Sequence, residues 1–287
     1  MNFALIGSAG YIAERHMKAI KGIDGNLIAC LDKFDVMGRI DSYFPDSMFF
    51  LKEYDFWKHL EVLKGTNYNV DYVVVCTPNN LHHYFIFQSV ERGYNVICEK
   101  PMVINTNEIV AIKSLLSKYR DRTVNGILQL RLHPVIKKIK EEFKPMTKKT
   151  KVKLEYFTPR GNWYHESWKT KAHMSGGLAM NIGIHFFDML IWIFGKPEKV
   201  RINSYGIGSQ TGTIELENAV VNYHLNLSTT LSPKRRLVID NQDVEFTAGF
   251  TELHTESYKQ ILAGNGFTIE DMEESIKLAE QIRQLIK

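Results

Sequence analysis

Cysteine is scarce in this chain, with three residues, Cys30, Cys76 and Cys98, among 287. Each sits in or at the end of an apolar run, where a free thiol behaves as a small hydrophobe. An odd count without CxxC spacing excludes a disulfide framework or a zinc ribbon and fits a reducing compartment. His82-His83 and the other scattered His and Asp residues lack metal-ligand spacing, so no metal is expected. Long apolar runs are missing as well. The best candidate, Ile182 to Gly195, is broken by His185 and Asp188 and is too short to cross a bilayer. The opening MNFALIGSAG carries no basic segment and no cleavage pattern of a secretory signal. The chain therefore reads as cytoplasmic, without a membrane partner. No excess of one charge exists either: the net charge of +4 suits an acidic ligand without calling for nucleic acid. The densest basic stretch, Lys137 to Lys153, ends with Lys149, Lys151 and Lys153 alternating as on the solvated face of a strand.

What is present is ordinary for a soluble globular chain: 44% apolar and 24% charged residues, over a length that suits two domains. Asn2 to Ile6, Leu27 to Leu31, Val70 to Cys76, Tyr94 to Cys98 and Val124 to Leu130 read as strands. Helical spacing fills Ile12 to Ile20, Leu81 to Glu91 and Thr106 to Tyr119. VDYVVVC is uniformly apolar rather than alternating, as a buried parallel strand is. The alternation predicts a parallel sheet covered on both faces. After about residue 125 the pattern changes. Lys151 to Thr158, Lys199 to Tyr205, Ala219 to Ser228 and Arg236 to Ile239 predict mostly antiparallel strands around one apolar helix, Ile182 to Phe194. A helix from Ile269 to Ile286 closes the chain. The expected architecture is an α/β domain of Rossmann type, a parallel doubly wound sheet, over residues 1–124. An α+β domain with an open, mostly antiparallel sheet follows over 125–287.

The first strand ends in Gly7-Ser8-Ala9-Gly10-Tyr11-Ile12-Ala13. A dinucleotide loop needs a glycine for its tight turn, a small residue facing the pyrophosphate, and a small residue where helix meets strand. Gly7, Gly10 and Ala13 supply these, with one residue more than usual between the glycines. Tyr11 and Ile12 open a helix whose free N–H groups would face phosphates. Asp32 ends the second strand, where a carboxylate accepts the adenosine ribose hydroxyls and repels a 2′-phosphate, favouring NAD over NADP.

Two further strand ends carry Thr77-Pro78-Asn79-Asn80-Leu81-His82 and Glu99-Lys100-Pro101. Together with the glycine loop they resemble the Gfo/Idh/MocA oxidoreductases, which carry TPNxxH and EKP at these places. The resemblance covers essentially the whole chain and implies cofactor contacts by Thr77, Pro78, Asn79, His82, Glu99, Lys100 and Gln129. Ser175-Gly176-Gly177-Leu178-Ala179-Met180-Asn181-Ile182-Gly183-Ile184-His185-Phe186-Phe187-Asp188 matches that family's glycine-rich loop and helix, with Asn181 in place of the usual aspartate. With the segments Ile127 to Pro134, Arg160 to Tyr164 and Gly249 to Thr255, it is similar to the WlbA/WbpB subgroup. That likeness implies NAD-dependent oxidation of the 3-hydroxyl of a UDP-sugar acid, UDP-N-acetylglucosaminuronate, in bacterial lipopolysaccharide and O-antigen synthesis. The alternatives are a family dehydrogenase for another sugar or inositol, or a non-catalytic regulator that senses a dinucleotide.

Oxidising a secondary alcohol needs a group to take the O–H proton while hydride leaves. Lys100, after a buried strand, and His185, on an apolar helix, form the expected proton-transfer pair. Asn181 can orient a hydroxyl but cannot be a base. Arg131, Arg160 and Lys169 are the expected grip on an acidic ligand. Gln129, Asn162, Trp163, Tyr164, His254 and Tyr258 complete a polar and aromatic sugar site. An open sheet usually needs covering, so a homodimer or homotetramer is expected.

Overall fold

Tyr72–Val75 is buried along its whole length, as a central parallel strand must be when helices cover both sides. The structure is a computed structural model that describes residues 1–35, 37–206, 208–246, 249–250 and 252–286. The first sheet contains β1 (Asn2–Ile6), β2 (Asn26–Leu31), β3 (Met48–Phe50), β4 (Tyr72–Val75), β5 (Asn95–Cys98) and β6 (Val124–Gly126). Its order is β3-β2-β1-β4-β5-β6, with every pairing parallel. The chain runs outward from β1 to β3 and then returns to β4 on the other side of β1. That reversal leaves a crevice at the carboxyl ends of β1 and β4, where α/β sheets hold their ligands. The helices among these strands are α1 (Ala13–Gly22), α2 (Met37–Asp41), α3 (Glu53–Val62), α4 (His82–Glu91) and α5 (Thr106–Lys118). Helix α1 buries Ala13, His16, Met17, Ala19 and Ile20, one stripe at helical spacing.

The second sheet is mixed. It contains β7 (Thr150–Phe157), β8 (Pro197–Gly206), β9 (Ser209–Leu216), β10 (Ala219–Asn226), β11 (Lys234–Ile239) and β12 (Gln242–Val244), in the order β12-β11-β7-β10-β9-β8. Only β7 and β10 pair in parallel. Around it lie α6 (Pro134–Glu142), the short turns α7 (Trp163–Glu166) and α8 (Ala172–Ser175), and α9 (Ile184–Phe194). Phe186 and Phe187 of α9 meet Tyr156 and Tyr223 of the sheet with ring centroids 4.6 and 5.2 Å apart. Burying an aromatic of this size is worth about 1.5–3 kcal/mol. Two helices close the chain, α10 (Leu253–Leu262) and α11 (Ile269–Leu285).

The chain divides into two compact units. The first is Met1–Met102, Asn107–Ile127 and Glu252–Ile269, and the second is Val103–Thr106, Leu128–Thr251 and Glu270–Lys287. The single break expected at 124/125 lies close to one crossing, but the chain crosses several times, and α10 belongs to the first unit. Two smaller differences have local causes. The strand expected to run from Val124 to Leu130 stops at Gly126 and gives way to a tight turn at Gln129–Leu132. The apolar helix starts earlier than Ile182, through a wide π turn at Ala179–Gly183. Counted with that turn, Ala172–Phe194 is one helical stretch long and apolar enough to cross a membrane, and 67% of its apolar window is buried inside the protein.

Candidate active site

Gly7 turns the chain at the end of β1 with φ +90°, and a Cβ there would stand 2.7 Å from the Cys76 carbonyl carbon. Only glycine fits both demands. A Cβ on Gly10 would lie 3.2 Å from the Gly7 oxygen, against the inner wall of the loop. The loop is held from several sides. The Gly7 N–H donates to the Leu31 carbonyl at 2.8 Å, and the Gly10 N–H to the Gly7 carbonyl at 3.0 Å. Asp32 Oδ2 accepts from the Ala9 N–H at 2.8 Å, and Oδ1 from the Phe34 N–H at 3.0 Å. Arg39 Nη1 donates to the carbonyls of Ala9 and Gly10, both at 3.1 Å. Arg39 escaped the sequence reading because nothing in its segment marks it as a loop partner.

The exposed Tyr11 and half-buried Ile12 lead into α1. Ile12 is its N-cap and offers no side-chain bond to the first amide groups, which are the anion-binding end of a helix. Among the described residues, Ser8 Oγ, Thr77 Oγ1 and Asn80 Oδ1 are buried without a hydrogen-bond partner. Buried polar atoms rarely stay unpaired. These three lie at or just after the ends of β1 and β4, beside the loop that a Cβ would fill. Their chemistry fits a ligand rich in hydroxyl and phosphate oxygens, as a dinucleotide is.

The next two segments are tied together. His82 Nδ1 lies 2.7 Å from the Pro101 carbonyl and Nε2 lies 2.8 Å from the Thr77 carbonyl, so one ring joins the TPNNLH and EKP turns. Burial lowers its pKa against the pull of those carbonyls. Pro78 is extended and leads into the one-turn helix of Asn79, which is buried. Lys100 is half-buried between Glu99 and Pro101.

The side chain of Glu99, a residue the resemblance marks as a cofactor contact, is turned into the protein. It is buried. Its Oε1 lies 3.0 Å from His16 Nε2 and 3.1 Å from His254 Nε2, and its Oε2 accepts the Lys100 N–H at 3.1 Å. Burial pushes the carboxyl pKa up, but the two histidines outweigh it and hold Glu99 well below the usual carboxylate range. The ligand atoms of His16, Glu99 and His254 lie within 4.8 Å of one another, a closeness that the two hydrogen bonds account for. His254 and Tyr258 are likewise corrected. Both come from α10 and are buried within the first unit, where the Tyr258 hydroxyl meets His16 Nδ1 at 2.8 Å. His16 was missed because a lone histidine inside an apolar helical stripe carries no signal of its partners.

In the second unit, Arg131 is also corrected. Its Nε and Nη2 grip Asp188 at 2.8 Å each, and Nη1 and Nη2 reach the side chain and carbonyl of Asp271 at 3.1 and 2.7 Å. The guanidinium is buried and spent on the protein itself. Burial pushes the Asp188 carboxyl up, and Arg131 pulls it back. Gln129, on the same turn, is buried with Oε1 unpartnered among the described residues.

Other expected residues do gather. Lys169 Nζ lies 4.8 Å from the Trp168 ring centroid and 5.8 Å from that of Trp163. Its pKa is lowered by burial and by the charge of Arg160. Tyr164 bonds the side chain of Asn181 and also feels Arg160, and the Trp163 and Tyr164 rings stand edge to face at 5.7 Å. Asn162 is the exposed N-cap of this turn. Cationic groups among aromatic faces have the chemistry to hold an anion with a flat or ring-shaped part. Asn181 is buried on the π turn, and His185 is half-buried at the start of α9. Gly176 and Gly183 shape this turn: a Cβ on Gly176 would stand 2.5 Å from Met180 Cγ, and one on Gly183 would stand 2.6 Å from the Phe187 ring. Of the segment Gly249 to Thr255, Thr251 lies outside the described residues.

Two family models match the chain. The one described as an oxidoreductase family with NAD-binding Rossmann fold covers residues 1–126, and the one described as the C-terminal alpha/beta domain of that family covers 147–232. The chain is similar to the WlbA (WbpB) dehydrogenase of Thermus thermophilus, solved in complex with NAD and UDP-GlcNAcA. The two are 40% identical with a TM-score of 0.93, over 99% of this chain and 94% of that one. The same dehydrogenase in complex with NAD and alpha-ketoglutarate matches with 40% identity and a TM-score of 0.94, over 99% and 95% of the chains. A putative oxidoreductase of Bacillus subtilis, YteT, is 29% identical over 157 residues, 52% of this chain and 36% of its own length. The two models, the 40% identity over nearly the full length of the Thermus enzyme, and the glycine loop at the β1–β4 crevice make this chain a member of the Gfo/Idh/MocA oxidoreductase family.

Proposed function

We propose that this protein is an NAD-dependent dehydrogenase that oxidises the 3-hydroxyl of a UDP-sugar acid, UDP-N-acetylglucosaminuronate. The observation that carries the reading is the 40% identity, over nearly the whole chain, to a dehydrogenase crystallised with NAD and UDP-GlcNAcA. NAD, when bound, accepts the hydride. Gly7, Gly10 and the start of α1 receive its phosphates, and Asp32 favours the unphosphorylated ribose. Tyr11, Ile12, Thr77, Pro78, Asn79, His82 and Gln129 line its path.

Lys100 and His185 form the proton-transfer pair for the sugar hydroxyl. Asn181 orients a hydroxyl or amide of the substrate and holds no proton. Arg160 and Lys169 take the anionic part, whose arrival relieves the repulsion between them, and Asn162, Trp163 and Tyr164 flank the rings. The complex of the Thermus enzyme with alpha-ketoglutarate supports a keto diacid as the group that returns NADH to NAD. The three buried free cysteines fit a cytoplasmic enzyme. The open second sheet fits a homodimer or homotetramer. A role in lipopolysaccharide and O-antigen synthesis follows from the substrate.

Calorimetry with NAD present tests the reading. UDP-N-acetylglucosaminuronate should bind, and UDP-N-acetylglucosamine, which lacks the carboxylate, should bind at least about tenfold more weakly, roughly 1.4 kcal/mol. Binding of myo-inositol or free glucose without binding of the sugar acid would overturn it.

A further inference from the structure

We propose that the buried chain Tyr258–His16–Glu99–His254 positions Lys100, and that Glu99 is a positioning residue rather than a cofactor contact. The inference rests on the reading of Lys100 as a proton-transfer group. It is carried by the hydrogen bonds that converge on Glu99 within the first unit. Glu99 Oε1 has two histidine Nε2 atoms at 3.0 and 3.1 Å. A carboxylate only accepts, so both nitrogens carry protons. His16 Nδ1 is then free to accept from the Tyr258 hydroxyl at 2.8 Å. The second oxygen, Oε2, accepts the backbone N–H of Lys100 at 3.1 Å. Each of these contacts is satisfied with the carboxylate ionised.

That arrangement is costly for a role in folding alone. Burying a carboxylate carries a desolvation penalty, and apolar residues of similar volume would fill the space more favourably. What the network does achieve is geometric. His16 sits in α1, the helix that follows the glycine loop, and His254 sits in α10, which packs against α1. Both end on one oxygen of Glu99, and the other oxygen holds the root of Lys100. The lysine is thereby referred to the same helix whose start faces the dinucleotide phosphates. Catalytic placement tolerates little error, and a shift of about 1 Å costs on the order of 100-fold in rate.

The test uses the full-length protein and four variants: Glu99→Gln, His254→Gln, His254→Leu and Lys100→Arg. Glu99→Gln turns an amide group or a weaker acceptor toward the two N–H donors. It should lower kcat by about 100-fold while KM for the sugar acid and Kd for NAD stay within about threefold. His254→Gln, which keeps a donor, should retain most of kcat, and His254→Leu should not. In protein labelled with 13C-lysine, the Lys100 Cε signal, identified by its loss in Lys100→Arg, should shift or broaden in Glu99→Gln. An unchanged Lys100 signal, or equal activity in the two His254 variants, overturns the proposal. Should the wild-type protein fail to oxidise the sugar acid, the substrate reading falls and the lysine signal still decides the network. Should Glu99→Gln fail to fold, the signal in the His254 pair decides it.

Discussion

The Asp32 carboxylate accepts the backbone N–H of Ala9 at 2.8 Å, so the acid at the end of β2 is a wall of the glycine loop as well as a neighbour of the expected ribose. The two roles separate on substitution. Asp32→Asn keeps an acceptor for Ala9 and loses the charge, so it should narrow the gap between NAD and NADP while the loop stays formed. Asp32→Ala loses both, and should weaken NAD by about tenfold, near the 1.4 kcal/mol of one charge-assisted bond. Titration of each variant with both dinucleotides checks this, and equal affinity of the wild-type protein for the two would count against an NAD preference.

Lys100→Met should abolish turnover with NAD binding largely intact. His185→Asn should do the same less severely. General acid–base groups contribute about 10²–10⁴-fold, so steady-state rates with the sugar acid will resolve the loss. Full activity in Lys100→Met would remove the lysine from the chemistry.

Arg131 should behave as a structural cation. Arg131→Ala leaves Asp188 buried without its partner, a loss of about 3–5 kcal/mol. Urea denaturation should show this fall even with no substrate present. A variant of normal stability that had lost only sugar-acid affinity would return Arg131 to the ligand site.

Acid should loosen the first unit in two steps. Burial lowers the His16 pKa below its ordinary 6.5, so below about that pH the unfolded chain takes up a proton that the folded chain refuses. Stability therefore falls as pH drops through that range. The Glu99 pKa is held well below its ordinary 4.5, so its stabilising contribution is complete above about 4.5 and is lost as pH falls further. Thermal melts from about pH 8 down to about pH 3 should show both losses. In His16→Gln the upper part of the slope should be reduced, and an unaltered slope there would refute the assignment.

Much of the first unit was legible because its signals are local. Uniform apolar runs mark β4 and β5, Gly7 follows β1 where a positive φ calls for glycine, and Asp32 directly follows β2. The errors fall where meaning depends on distant partners. Arg131 has the fork that grips carboxylates, but sequence does not reveal that Asp188, 57 residues on, and Asp271, 140 residues on, already occupy it. His254 and Tyr258 follow the second sheet in the chain and were assigned to it, whereas α10 packs on α1. Strand β9 was missed because Ser209-Gln210-Thr211-Gly212-Thr213 carries little apolar alternation, though its buried positions do alternate. The crowding of aromatic and cationic residues from Arg160 to Lys169 is visible in one short segment, and Asn181 is marked by its place in the glycine-rich segment.

The return of residues 252–269 to the first unit bears on how this protein can be cut, fused or exchanged with its relatives. Tyr258 and Ile261 share a core with Phe3, Met17 and Ile20, so residues 1–127 alone would carry an open apolar flank and lack half of the Glu99 network. A graft of the first 127 residues onto another protein would therefore transfer the glycine loop without the support behind Lys100. A permuted chain that joins 252–269 directly to 127 would carry both.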